Sequence, residues 1–335
     1  MQAPQGTPEI RSTTWFVRGE DARRLVYPLL AVIVGLAYWL GWEGAQQLPA
    51  VDGDVRVRVD NRFGPIIGVL AGFMVGAVNW VLRGAARDWG RIGAPDLDRS
   101  RLTERTFASR RGSMLLCGAV GLLMGLFQLW ATGDLGILKR GAPAALVVTM
   151  LLVILFWMLV VQVAGIFIIL IRGFYLLGRE VEPDLFRMKP LAPFSYVGLR
   201  ILAVNATSMA ILIFMVGLGD VDLAGLAVPL GFTALVSVFC FLVPQLGVRQ
   251  SIERARAGML AQLDKRLDAT GYAADGALES EDTVREVASV AILRDRIEDA
   301  PSWPISGIGW LRFTVLMLLP AVSWGADKLI TRFLS

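Results

Sequence analysis

Apolar positions in this chain fall in long blocks rather than in alternation. Seven blocks stand out, at 25–43, 64–83, 113–132, 143–171, 201–219, 223–244 and 309–331. A helix that crosses the hydrocarbon core of a bilayer needs about 20 residues, so each block predicts a transmembrane helix. The fourth would reach about 42 Å against a core of about 30 Å, so it must tilt or protrude. Pro320 sits in the middle of the seventh and predicts a kinked or re-entrant last span. The first block follows a polar arm, 1–24, and no small-residue cleavage site comes after it. It therefore reads as a span, not as a cleaved leader.

Between the sixth and seventh blocks the pattern changes. Val248, Ile252, Ala255, Met259, Leu263 and Leu267 recur at steps of three and four within a charged stretch. That spacing predicts an amphipathic helix. Gly271 and Gly276 interrupt it. Ser280, with Glu281 and Asp282 behind it, predicts the start of a second helix, striped by Val284, Val287, Ala288, Val290, Ala291, Leu293 and Ile297. Pro301 and Pro304 end it. The expectation is an all-α, multi-pass bundle of six to seven spans. Residues 1–24 form an N-terminal arm, and 25–244 hold six spans and a basic loop at 83–112. Residues 245–308 form a cytoplasmic helical hairpin, and 309–335 the last span and C-terminus.

Within the second block, "GVLAGFMVGAVNW" sets Gly68, Gly72 and Gly76 at steps of four. Cys117, Gly121 and Gly125 repeat that step in the third. Lipid offers no hydrophobic drive for helix association, so small residues that let backbones approach mark packing faces. These two glycine-zipper faces are expected to pack on each other within one chain. The alternatives are an intersubunit face and a wall for a permeating solute.

Charge then orients the bundle. With the N-terminus inside, 26 of the 33 Lys and Arg fall on the cytoplasmic side and 7 on the other. The positive-inside rule therefore predicts a cytoplasmic (inner) membrane protein with its N-terminus inside. Trp39 and Trp42 close the first span on the outer side, and Trp303 and Trp310 flank the inner start of the last. Net charge is +4 with mean hydropathy +0.58. The basic residues sit between spans, so anionic headgroups are the expected partners and nucleic acid is not.

Candidate chemistry is sparse. The chain has no histidine and two cysteines, Cys117 and Cys240, each inside an apolar block. No metal, haem or other cofactor is expected, nor a nucleophile–base pair, so no catalytic residue is assigned. The candidate intramembrane polar side chains are Gln128, Gln162, Asn205, Thr207 and Ser208. Gln162 and Asn205 lie at similar depth and predict an interhelical hydrogen bond. The stretch "MVGLGDVDLAGLAVPLGF" (215–232) resembles the GxGD segment of intramembrane aspartyl proteases, the presenilin and signal-peptide-peptidase class. The resemblance implies a catalytic role for Asp220. That chemistry needs a second aspartate, and the two preceding spans contain none. "GLGD" reads as a short outer turn.

Two readings of function follow. One is a passive, channel-like homo-oligomer. The other is a scaffold or regulatory subunit that presents the 245–308 hairpin to a cytoplasmic partner. The absence of carboxylates deep in the spans disfavours ion-coupled transport.

Overall fold

The computed structural model describes residues 23–47, 63–92, 111–131, 144–217, 223–269, 281–305 and 307–334. Among them no strand occurs. The helices are α1 (Arg23–Gln47), α2 (Phe63–Arg91), α3 (Arg111–Ala131), α4 (Ala144–Glu180), α5 (Ala192–Gly217), α6 (Leu223–Ala269), α7 (Glu281–Glu298) and α8 (Gly307–Leu334). A 3-10 turn at Lys189–Leu191 leads into α5, with Pro190 in its first turn. Helix is expected here because long apolar segments satisfy their backbone polar groups only within themselves.

Five helices contain stretches long and apolar enough to cross a membrane: Pro28–Ala45, Pro65–Arg91, Val147–Glu180, Lys189–Ile213 and Ala234–Asp268. The apolar stretches Leu115–Ala131 and Gly307–Ser323 are shorter. Large apolar side chains stand exposed along α1, α3 and α8, among them Leu40, Leu115, Phe127, Trp130 and Leu311. A soluble domain would bury such patches, whereas lipid covers them. The chain has the character of a helical membrane-integral protein.

Two elements run past the apolar blocks that predict them. Helix α2 continues to Arg91 through what reads as loop, because Ala85 and Trp89 are buried and Ile92 follows on the same side. Helix α6 is one element of 47 residues, with no break at the expected border near residue 244. Pro244 lies inside it, and beyond that point its backbone presses on α4. A β-carbon at Gly178 would sit 2.8 Å from the Val248 amide nitrogen, and one at Gly247 would strike the Tyr175 carbonyl. Tertiary packing thus carries the helix across a residue that weakens it locally. Pro320 likewise lies inside α8, which is helical on both sides of it.

The core is concentrated where α2 and α4 finish and α5 and α8 begin, here called the basal end. Val81, Leu170, Phe174, Phe194, Val197 and Ile201 are all but fully buried there. Phe174 meets Trp89 edge-on at 5.3 Å and Phe194 at 5.9 Å between ring centroids, a favoured aromatic geometry. A second cluster joins α5, α6 and α8 around Phe241, which stacks on Phe313 at 4.5 Å. Trp310 adds an edge-on contact to Phe241, and Arg249 lies 4.9 Å over the Trp303 ring.

Helix α7 packs on the C-terminal part of α6. Leu263, Val290 and Ile297 are buried, and Arg294 bonds Asp264 at 3.0 Å. The Arg294 guanidinium is held above its ordinary value, first by its hydrogen bond to Glu298 and then by the charges of Asp264 and Glu298. The two amphipathic stripes do not simply cover each other. Val248 and Ile252 of the first belong to the core shared with α4, and Val284 and Leu293 of the second remain exposed, as does neighbouring Ile292. Ser280, Gly271 and Gly276 lie outside the described residues.

Candidate functional site

The small-residue faces both find helices, though not each other. A β-carbon at Gly72 would lie 2.7 Å from the Ala31 carbonyl oxygen of α1, and one at Gly68 would lie 2.7 Å from that of Gly35. At Gly76 the nearest atom is the Ala31 β-carbon at 3.7 Å, an ordinary contact. On α3, Gly121 and Gly125 face the α4 backbone at Met158 and Ile154, and Cys117 abuts Gly165 of the same helix. The expected α2–α3 pairing is thereby corrected. The smallness of Gly35 and Gly165 supplies the nearer partners, so each ladder docks on the helix next to it in the fold.

The intramembrane polar groups are also redistributed. Gln128 accepts a hydrogen bond from Trp157 Nε1, joining α3 to α4. Among the described residues no hydrogen bond joins Gln162 to Asn205. Gln162 lies near Gly118, and Asn205 and Ser208 are half-buried on α5. Thr207 lines an apolar groove described below. Ser323 donates to the Ala210 carbonyl at 2.9 Å and ties α8 to α5 just beyond Pro320. Trp39 Nε1 donates to Glu43 at 3.4 Å within α1. Asp220 and the rest of 218–222 lie outside the described residues, as do 1–22 and the greater part of the basic loop, 93–110.

The basal end holds a charged pair absent from the expected site. Arg200 of α5 donates from Nη1 to Oδ2 of Asp88 on α2. Asp88 is fully buried, and Arg200 keeps 19% of its side chain exposed. The guanidinium lies over Gly84, where a β-carbon would fall 2.5 Å from Cζ. Glycine therefore makes room for the ion pair. The other carboxylate oxygen, Asp88 Oδ1, is buried with no hydrogen-bond partner. Counting both residues as loop charges hides the pair. The signal was nevertheless present: Val81, Ala85, Asp88 and Ile92 continue one helical stripe past the apolar block, and Phe194, Val197 and Ile201 extend the next one inward across Arg200.

Two open hollows run along the outside of α2 and α5. One, of about 700 Å³, lies between α1, α2 and α5, with Gly68, Gly72 and Gly76 in its floor and Thr207 at its side. The other, of about 520 Å³, lies between α2, α5 and α8 and is lined by Tyr196, Arg200 and Arg312. Trp80 and Ala203 line both. Among the described residues no group of three or more potential metal ligands forms. Comparisons with protein-family models, with curated proteins and with solved structures found no match.

Proposed function

We propose that the protein is a membrane-embedded scaffold whose α6–α7 stalk engages a cytoplasmic partner. The observation that carries this reading is the continuity of α6. Its 47 residues make a rod of about 70 Å, more than twice a bilayer core. Its middle, from Ser237 to Ile252, packs among the apolar helices, and the part beyond carries charge and holds α7. Whatever binds α7 is therefore rigidly tied to the bundle. Helix α7 offers Val284, Ile292 and Leu293 in the open, a short apolar face of the kind that partner helices use. The Lys and Arg distribution supports a cytoplasmic position for the stalk. A channel-like oligomer would have to conduct between copies, since large side chains fill the basal half of the single chain around Phe174 and Phe194.

A photo-crosslinker at Val284 should trap one defined protein in cells. Ile292→Glu should abolish that adduct and leave the melting temperature of the purified protein unchanged, because the side chain is 59% exposed. Reconstituted protein that passes ions or small solutes into vesicles, undiminished by Ile292→Glu, would favour the conduit instead.

A further inference from the structure

The two hollows have complementary chemistry and a shared wall. The hollow at the basal end is cationic. Arg200 spends Nη1 on Asp88, which leaves further N–H donors on the same guanidinium. Arg312, on α8, lines the same hollow and forms no ion pair among the described residues. Tyr196, partly exposed, lines the same hollow. The two arginines sit about 12 Å and about 8 Å along their helices from the basal starts, a depth suited to the headgroup boundary rather than the bilayer centre. Beyond Trp80 and Ala203 the lining turns apolar and continues along the glycine floor to Pro65. From Trp80 to Pro65 is about 22 Å of helix, the reach of an extended acyl chain across one leaflet and somewhat beyond.

We infer that this composite groove is a binding site for an acidic phospholipid. Its phosphate lies between Arg200 and Arg312, and one acyl chain runs past Trp80 over Gly76 and Gly72. A free phosphate would use the arginines alone and gain nothing from the apolar floor. A neutral lipid would use the floor and leave Arg312 unmatched in a membrane interface, where a basic residue favours an anionic headgroup. The site rests on the membrane character of the chain and is independent of the scaffold reading.

The test is native mass spectrometry of the full-length protein in detergent, with phosphatidylglycerol and phosphatidylcholine of identical chains. The wild type should favour phosphatidylglycerol severalfold or more. Arg312→Gln should lower that preference about fivefold, the worth of one arginine near an acidic headgroup, and Arg312→Lys should largely keep it. Ala203→Phe, which fills the junction of the hollows, should reduce occupancy by both lipids. The substitutions sit on different helices, so either decides if the other variant does not fold. Equal binding of the two lipids by the wild type would overturn the proposal, and so would an unchanged preference in Arg312→Gln. Displacement of phosphatidylglycerol by glycerol phosphate at similar concentration would reduce the site to an anion site and overturn the lipid assignment. Crosslinking of a second copy through Ala203 would replace the lipid with a protein occupant. Loss of the α7 adduct alone leaves the groove untouched.

Discussion

At Gly72 the backbones of α1 and α2 leave no space for a side chain, and at Gly76, one turn on, they do. Gly72→Leu should therefore destabilise the protein by about 1–3 kcal/mol or more, the usual cost of overpacking. The melting temperature in detergent should fall by the same amount at every protein concentration, because the contact lies within one chain. Gly76→Ala should be neutral or slightly stabilising, since alanine favours helix and its β-carbon meets only Ala31 at 3.7 Å. A concentration-dependent loss in Gly72→Leu would move this face to a subunit boundary. Asp88 gives a second test at this scale. Removing one partner of a buried pair strands the other charge, so Asp88→Ala should cost about 3–5 kcal/mol. Arg200 is partly exposed, which puts the expectation at the lower end. Combining Asp88→Ala with Arg200→Met should recover much of the loss. A double variant no more stable than Asp88→Ala would show that the carboxylate acts through something other than Arg200.

The helices were largely legible in the sequence, because a long apolar block in a chain of this hydropathy has few alternatives to helix. Their ends and partners were not. Helix α2 outruns its block because burial of Ala85, Asp88 and Trp89 depends on α4 and α5, which sequence distance conceals. The glycine steps told that something approaches closely but not what, since Gly35 and Gly165, the complementary small residues, lie on helices without a ladder of their own. The end of the sixth apolar block at residue 244 set a boundary that packing on α4 overrides. Past Ile252, α6 is supported by α7 and by partly buried Ala255, Met259 and Leu260 on one face only. Ala257 is exposed there, and Ala257→Pro should break the rod at a cost of about 3 kcal/mol or more. Limited proteolysis should then cut near residues 253–257 while the bundle stays protected. An unchanged cleavage pattern would mean that α6 is not a continuous rod past the bundle.

For the whole molecule, an apolar surface and a filled basal core join the paired α6 and α7, and these are the features on which we propose a scaffold. The ion pair and groove at the basal end escaped the sequence because their members come from three helices, and each alone looks like an ordinary loop arginine or aspartate. The stalk can serve a cytoplasmic partner only if it lies on the cytoplasmic side. That is tested most directly by a single cysteine in place of Asp275, with Cys117 and Cys240 replaced by serine or alanine. A membrane-impermeant thiol reagent should leave this cysteine unmodified in intact cells and label it in inverted vesicles. Labelling in intact cells with protection in inverted vesicles would contradict both the charge argument and the scaffold built on it.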